Sequence, residues 1–330
     1  MKVLKIIIIL VVTSLSLHFK VFSQTQRWKY IRHEAMFGFG ATNFLGELGG
    51  KNGIGTNNMR DFDFPSIRPV MHFGHSYRIA YMFTLINDIS IGYLYGNDQF
   101  TNEPFRNDRN IHFRSPIIEY SSLIHFYPFP EREGAKYTLS GYRLRPKKRS
   151  ILQWFSSGKI NVYPYFYTGI SLFHFNPQAK YPKDGEISSM QGKWVKLQPL
   201  KTEGQGIIPT RDDYSLNQIA VPIGMGLKYF IDMYWAVGFE YGLRITFSDY
   251  IDDASKTYVD PNILRNNIGG EQGDLAAYFS NPSNQNLHNS ITRPGQQRGD
   301  VRDKDAYMFA KITMYYKIIE KDKVAIPKFK

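Results

Sequence analysis

The feature that most constrains this chain is a two-residue alternation of side chains between Trp235 and Phe247. One alternate set is apolar and comprises Val237, Phe239, Tyr241, Leu243, Ile245 and Phe247. The intervening set is small or polar and comprises Gly238, Glu240, Gly242, Arg244 and Thr246. Because successive side chains of a strand face opposite sides, this segment predicts a strand with one apolar and one polar face.

Similar alternation recurs along the chain and predicts about eight strands. They cover residues 31–41, 70–78, 89–95, 117–126, 163–173, 221–229, 235–247 and 307–317. An even number of such segments, with 15% aromatic residues, is typical of membrane barrels that carry aromatic girdles. A secreted β-sandwich also alternates, and composition alone does not separate the two classes. We predict an all-β fold, a small antiparallel transmembrane β-barrel.

The lengths of the connections predict how this barrel is oriented. Long polar segments at 42–66, 96–113, 176–217 and 248–305 fit extracellular loops, and the short link 231–233 fits a periplasmic turn. Residues 130–160 break the rule, because they form a long basic insert where a short periplasmic turn is expected. Residues 317–330 would form a periplasmic tail.

The beginning of the chain predicts export. Two lysines precede an apolar run at residues 6–17, which is shorter than the ~20 residues that a helical span needs. We therefore assign residues 1–23 to a signal peptide and 24–330 to the mature barrel, rather than assigning a membrane anchor. The expected location is the outer membrane. The sequence has no cysteine, which excludes disulfides and thiol catalysis.

Charged residues also lie on the polar faces of the predicted strands. The inward set is predicted to comprise Glu34, Arg78, Glu119, Lys228, Glu240, Arg244 and Lys311. An eight-stranded barrel is only wide enough for side chains to fill it, so we favour an ion-paired plug. A proton or ion path is the alternative.

No motif for catalysis or for a cofactor is present. The sequence lacks a nucleophile elbow, a zinc-protease motif and a P-loop, and its eight histidines are scattered without metal-ligand spacing. We expect a non-enzymatic protein with no cofactor, no nucleic-acid partner and no small-molecule substrate. Asp249, Asp252 and Asp253, with Asp260 further on, are a weak calcium candidate, and a solvated acidic loop is the favoured alternative.

Two loop motifs are not dictated by barrel periodicity. The first combines Trp194 with Thr202, Glu203, Gly204, Gln205 and Gly206, and the second contains Asp249, Tyr250, Asp252 and Asp253. With the opening segment around Glu34 and residues 42–50, these motifs resemble the PorG family of Bacteroidota. The resemblance spans nearly all of the mature chain.

The resemblance implies a role in the type IX secretion and gliding apparatus. Members of the family are outer-membrane barrels associated with a periplasmic ring of the PorK/PorN or GldK/GldN type. The partners it implies are therefore outer-membrane lipid and periplasmic ring proteins. The alternative is an adhesin or binding barrel with functional surface loops.

The insert at 130–160 is the candidate surface for a periplasmic partner. Between residues 131 and 159 it carries eight basic residues against two acidic ones, together with apolar and aromatic side chains. Interface cores favour arginine and aromatic residues, and a basic rim attracts an acidic partner. The candidate residues are Arg143, Arg145, Lys147, Lys148, Arg149 and Trp154.

Overall fold

A computed structural model describes residues 31–46, 48, 64–129, 162–232, 234–283, 291–301 and 303–318. The predicted signal peptide 1–23 lies outside the described residues. So do residues 130–160 of the insert and residues 319–330 of the tail.

Ten strands and three helices make up the described fold. The strands are β1 His33–Leu45, β2 Arg68–Arg78, β3 Phe83–Asn97, β4 His112–Phe126, β5 Val162–Phe175, β6 Gln178–Lys180, β7 Trp194–Lys196, β8 Asn217–Phe230, β9 Trp235–Thr246 and β10 Ala306–Ile318. The helices are α1 Pro104–Arg109, α2 Pro261–Ile268 and α3 Gly270–Ser280. Short 3₁₀ turns lie at Phe64–Ser66, Asp98–Phe100, Ser188–Met190 and Gln198–Leu200.

The eight long strands close into one antiparallel barrel. The order around the barrel is β1, β2, β3, β4, β5, β8, β9 and β10, and β10 pairs again with β1. The short strands β6 and β7 pair with each other above the barrel, where Gln178 continues the sheet beside Arg114 of β4. The predicted fold class, an all-β antiparallel barrel of eight strands, is thus confirmed.

The barrel has two different ends. The loop end carries the connections 46–67, 98–111, 176–216 and 247–305, and the turn end carries 79–82, 127–161 and 231–234. The loop-end connections contain β6, β7 and all three helices, which together form the cap. Sequence reasoning described these segments only as long polar loops, because they lack the period of a barrel strand.

The two faces of the barrel wall have opposite chemistry. Large apolar side chains on the outer face are exposed, including Phe39 at 65%, Met71 at 70% and Ile170 at 62%. The inner face carries buried polar and charged side chains on the same strands. A soluble barrel would bury its apolar face, so here that face meets lipid. The chain is an outer-membrane β-barrel.

Glycines on the inner face make room for large aromatic side chains. A Cβ atom at Gly226 would overlap the ring of Tyr165, and one at Gly242 would overlap the Tyr167 hydroxyl. Glycine is therefore required where these tyrosines cross the narrow lumen.

The third strand is longer than the alternation predicts. Sequence reasoning began it at Ile89, but β3 begins at Phe83. Asn87 and Asp88 lie outside the predicted strand 89–95. In the structure they continue the alternation, with Asp88 on the inner face, so its charge was missed. No helix among the described residues is long and apolar enough to cross a membrane.

The chemistry of the outer face predicts a dependence on depth. Ile312 lies at the middle of β10 and faces outward, whereas Asn217 faces outward at the rim of the loop end. We expect Ile312→Arg to lower the free energy of unfolding in vesicles by about 2–4 kcal/mol, because arginine enters the bilayer centre. Asn217→Arg should cost about 0–1 kcal/mol. Urea titrations of refolding into lipid vesicles measure both. Equal costs would contradict the assignment of the lipid-facing surface.

Candidate functional site in the lumen and the cap

All seven charged residues predicted for the inner face are buried there. They are Glu34, Arg78, Glu119, Lys228, Glu240, Arg244 and Lys311. The structure arranges most of them in three layers of opposite charges along the barrel axis.

The layer nearest the turn end pairs Glu34 with Lys228. The Lys228 Nζ atom lies 2.5 Å from a carboxylate oxygen of Glu34, and the Ser76 hydroxyl donates to the same oxygen at 3.2 Å. Arg78 lies at this end of β2 and donates to the Tyr81 carbonyl at 3.1 Å. These groups line a cavity of about 30 Å³, which is large enough for a water molecule.

The middle layer is built around Lys311. Its Nζ atom lies 2.7 Å from Asp88 and 3.0 Å from Glu240, so one cation bridges two carboxylates. His72 Nδ1 lies 3.0 Å from the other oxygen of Asp88, and Ser90 donates to Asp88 at 3.0 Å. Sequence reasoning missed Asp88 and His72. Side chains 84, 86, 88 and 90 all face inward, and this alternation along β3 is the sequence signal that could have identified Asp88.

The layer nearest the loop end pairs Glu119 with Arg244. Their closest side-chain atoms are 3.5 Å apart, and the Tyr307 hydroxyl donates to Glu119 at 2.5 Å. The Arg244 guanidinium also lies over the Phe309 ring, 4.3 Å from its centroid. Aromatic and charged groups thus share this part of the lumen.

Aromatic side chains occupy the space between the layers. The fully buried His125 ring stacks on Tyr165 at 4.5 Å and on Tyr167 at 5.2 Å between centroids. Over the three layers together, the four carboxylates described above meet four basic side chains, and the rings fill the space beside them. This arrangement favours the ion-paired plug over an aqueous path.

The cap contains the second cluster, and its centre is Glu203. This side chain is fully buried, and its carboxylate accepts from Arg298 Nη1 at 3.0 Å. The backbone N–H groups of Ser255 and Lys256 donate to the same carboxylate at 2.9 and 3.0–3.1 Å. Glu203 therefore joins the 176–216 connection to the 247–305 connection.

Asp253 completes this network. It accepts from the hydroxyls of Thr202 at 2.5 Å and Tyr214 at 2.7 Å, and it lies 4.0 Å from Arg298. The two loop motifs therefore meet in space around Arg298. Nothing in the sequence pattern marked Arg298, because it lies in a connection without strand or helix period.

The remaining motif residues shape or anchor the cap. Gly204 and Gly206 have φ values of 75° and 67°, a region that favours glycine, and so allow the turn to form. Gln205 accepts from the Glu203 N–H at 3.0 Å. Tyr250 stacks on Tyr214 at 4.7 Å, which stacks in turn on Phe175 at the end of β5. Only Trp194 lies apart, under the Arg114 guanidinium at 4.0 Å.

A further arginine joins the β3–β4 connection to the rest of the cap. Arg109 donates to both oxygens of Asp98 at 2.8 and 2.9 Å and to the Arg298 carbonyl at 2.7 Å. Asp98 is fully buried and also accepts from the Ile111 N–H. Three separate connections are thus fixed to one another by buried charges.

The calcium candidates do not converge on one point. Asp253 is taken by Thr202, Tyr214 and Arg298, Asp249 accepts from Ser255 at 2.6 Å, and Asp260 caps α2. Among the described residues, no group of three or more His, Cys, Asp or Glu side chains could hold a metal ion. The favoured alternative, a solvated acidic loop, is wrong, because Asp249, Asp252 and Asp253 are buried. They make hydrogen bonds within the cap instead.

Burial changes the acidity of these aspartates. Desolvation raises the pKa of Asp252 to about 8, although the Ala254 N–H and Arg109 oppose it. Desolvation also raises the pKa of Asp249 and of Asp253 to about 6. One oxygen of Asp252 has no hydrogen-bond partner among the described residues. Protonation of Asp252 therefore favours the folded cap.

The candidate partner residues of the insert fall in a part of the chain that the structure does not describe. Arg143, Arg145, Lys147, Lys148, Arg149 and Trp154 all lie outside the described residues. The insert joins β4 to β5, so it begins and ends at the turn end.

Comparison with known proteins finds likeness only among solved structures. No family model and no curated protein matches the chain. The Neisserial surface protein A is 7% identical with a TM-score of 0.36, covering 87% of this chain and 96% of that one. A major outer membrane protein from Thermus thermophilus is 10% identical with a TM-score of 0.36, covering 87% and 99%. OprG from Pseudomonas aeruginosa is 6% identical with a TM-score of 0.31, covering 88% and 98%.

The buried network predicts that one substitution will loosen the cap. Arg298→Met leaves Glu203 and Asp253 buried without their cation, which should cost about 3–5 kcal/mol of cap stability. Limited proteolysis of the folded barrel measures this loss. The control is Arg265→Met, because its pair with Asp274 is about half exposed and contributes about 0–1 kcal/mol. Equal protease resistance of the two variants would contradict the network.

The raised pKa of Asp252 predicts a pH dependence of the cap. Its folded pKa of about 8 exceeds the ordinary 3.8, so the folded state holds a proton that the unfolded state releases. The resulting stabilisation is present at low pH and is lost as pH rises through about 8. We expect slower proteolysis of the cap at pH ~5.5 than at pH ~8.5. Asp252→Asn should weaken this dependence, and an unchanged pH profile would contradict the assignment.

Proposed function

We propose that this protein is a non-enzymatic outer-membrane component of the type IX secretion system that contacts a periplasmic ring of the PorK/PorN or GldK/GldN type. The observation that carries the proposal is the filled lumen. Carboxylate oxygens of Asp88 and Glu240 lie 2.7 and 3.0 Å from the Lys311 Nζ atom, which bridges both acids in the barrel interior. A barrel closed in this way acts through the surfaces at its ends.

The cap supports the proposal in a second way. The loop motifs that resemble the PorG family are not required by a barrel wall. In the structure Thr202, Glu203 and Asp253 are buried and bonded to one another or to Arg298. The resemblance therefore rests on residues that build a specific cap, and not on the alternation common to all membrane barrels.

The charge of the turn end indicates the chemistry of the partner. The insert between β4 and β5 carries the five basic residues between 143 and 149, and a lysine-rich segment follows β10. Basic surfaces speed encounter with acidic partners in a salt-dependent way. An acidic face of the ring would complement this end of the barrel.

A second candidate is a binding barrel that acts through its cap. An open groove of about 650 Å³ lies on the cap beside Arg211 and Lys256. Arg211 is held there by the Glu203 carbonyl and by Thr257. Asp300 also lines the groove, so two basic side chains outnumber one acidic side chain there. This excess of positive charge would suit an anionic surface ligand, and it is the observation that favours an adhesin.

One pair of variants separates the two candidates. In the first, Arg143, Arg145, Lys147, Lys148 and Arg149 become glutamine. In the matched control, the exposed cap residues Lys180, Lys183, Lys193 and Lys196 become glutamine. Both are expressed in the native host, and the protein is purified from its outer membrane under mild detergent.

We expect the insert variant to lose the ring proteins in the pull-down, while its heat-modifiable migration shows an intact barrel. The cap control should retain them. If the insert variant still retains the ring at low and moderate salt, the insert is not the contact. If neither the full-length wild type nor the control retrieves ring proteins, the secretion role is wrong. The second candidate, a binding barrel that acts through its cap, is then favoured.

A further inference from the structure

The lipid-facing surface of the barrel contains a polar interruption near the turn end. His75 of β2, Asn87 of β3 and Ser122 of β4 are directly opposite one another in the strand register. All three face outward, whereas the outward neighbours Phe73, Leu85 and Ile124 are apolar. A polar row in such a surface is costly in lipid and marks a candidate site.

A second histidine reaches this row from the neighbouring strand. His33, the first residue of β1, places its Nδ1 atom 3.0 Å from Nε2 of His75, and their ring centroids are 5.1 Å apart. The Tyr77 ring, also on β2, packs with its centroid 4.9 Å from that of the His33 ring. Both imidazoles are half-buried, so they are positioned and still reachable from the rim.

The distance between His33 Nδ1 and His75 Nε2 matches that of two imidazole nitrogens bound to one metal ion. Two imidazole nitrogens bound to one ion at 2.0–2.1 Å, with angles between 90° and 109°, lie about 2.9–3.4 Å apart. The 3.0 Å between His33 and His75 falls within this range. An ion that replaces the shared hydrogen bond requires both rings to turn so that their lone pairs converge on it.

Small or polar side chains flank His75 in the strand register. Ala35, a small and exposed residue, lies directly opposite His75 on the β1 side. Asn87 lies opposite His75 on the other side, where its side-chain oxygen accepts from the Tyr120 hydroxyl at 3.0 Å. Water molecules would complete the coordination, because this site has two histidine ligands.

We propose that His33 and His75 form a site for a divalent transition-metal ion at the turn-end rim, clamping β1 to β2. Imidazole pairs suit copper, nickel and zinc, and Cu²⁺ binds tightest among these at a given nitrogen site. The sequence alone does not reveal the pair, because the two histidines are 42 positions apart. Strand pairing alone brings them together.

The test uses full-length mature protein purified in detergent with a tag that contains no histidine, then stripped with a chelator. Calorimetric titration with CuCl₂ and with ZnCl₂ gives affinity and stoichiometry, and electron paramagnetic resonance counts the nitrogens on Cu²⁺. The expected result is one equivalent of Cu²⁺ with two imidazole nitrogens, bound more tightly than Zn²⁺.

Three substitutions locate the site. His33→Gln and His75→Gln should each weaken binding roughly 10–100-fold or more, since losing an outer partner alone has that effect. His174→Gln is the matched control, because His174 is exposed at the loop end and its ring pairs with the Asn217 side chain at 2.9 Å, far from the proposed site. Heat-modifiable migration confirms that each variant is folded.

A gain-of-binding variant keeps the test independent of any loss of folding. Ala35→His places a third imidazole directly beside His75, so it should tighten Cu²⁺ binding and add a third nitrogen to the spectrum. Wild-type protein that binds no stoichiometric metal would overturn the proposal. So would binding that survives in both His33→Gln and His75→Gln, or an affinity unchanged in Ala35→His.

Discussion

The requirement that every backbone hydrogen bond be satisfied inside a lipid bilayer is the constraint on which the rest of this structure depends. Lipid offers no donors or acceptors, so a sheet that crosses it must have no open edge. The pairing of β10 with β1 meets that requirement here. Closure then forces alternate side chains into a narrow interior, where charges must find partners. The ion layers around Lys228, Lys311 and Arg244 are a consequence of that geometry.

Buried charges in the cap are also paired, but the arrangement that holds them differs from that of the lumen. In the lumen, fixed strands hold acids and bases opposite one another. In the cap no strand ladder sets the positions, and Glu203, Arg298 and Asp253 hold separate connections together through side-chain and backbone bonds. The stacked rings of Phe175, Tyr214 and Tyr250 then tie this network to the barrel wall. Cap and barrel are therefore one packed unit.

The alternation of side chains made the barrel predictable, because a period of two is a local property that the sequence displays directly. All seven lumen charges could be assigned in the same way. Asp88 was missed only where the strand began earlier than its composition indicated. The roles of Arg298 and of the pair His33 and His75 were not predictable, because they depend on contacts between distant segments. The motif residues in the cap were found by resemblance, and their contacts with Arg298 supplied the physical reason for them.

The seam between β1 and β10 also bears on how the protein is made. The two strands that close the barrel are the first and the last of the described strands, and they pair over thirteen residues from His33 with Ile318 to Leu45 with Ala306. Contacts so distant along the chain form slowly, since much conformational entropy is lost before they are gained. During biogenesis the sheet therefore stays open until its last segment has been delivered. The cap connection that holds Arg298 directly precedes that segment, so docking of the cap would place β10 beside its final neighbour.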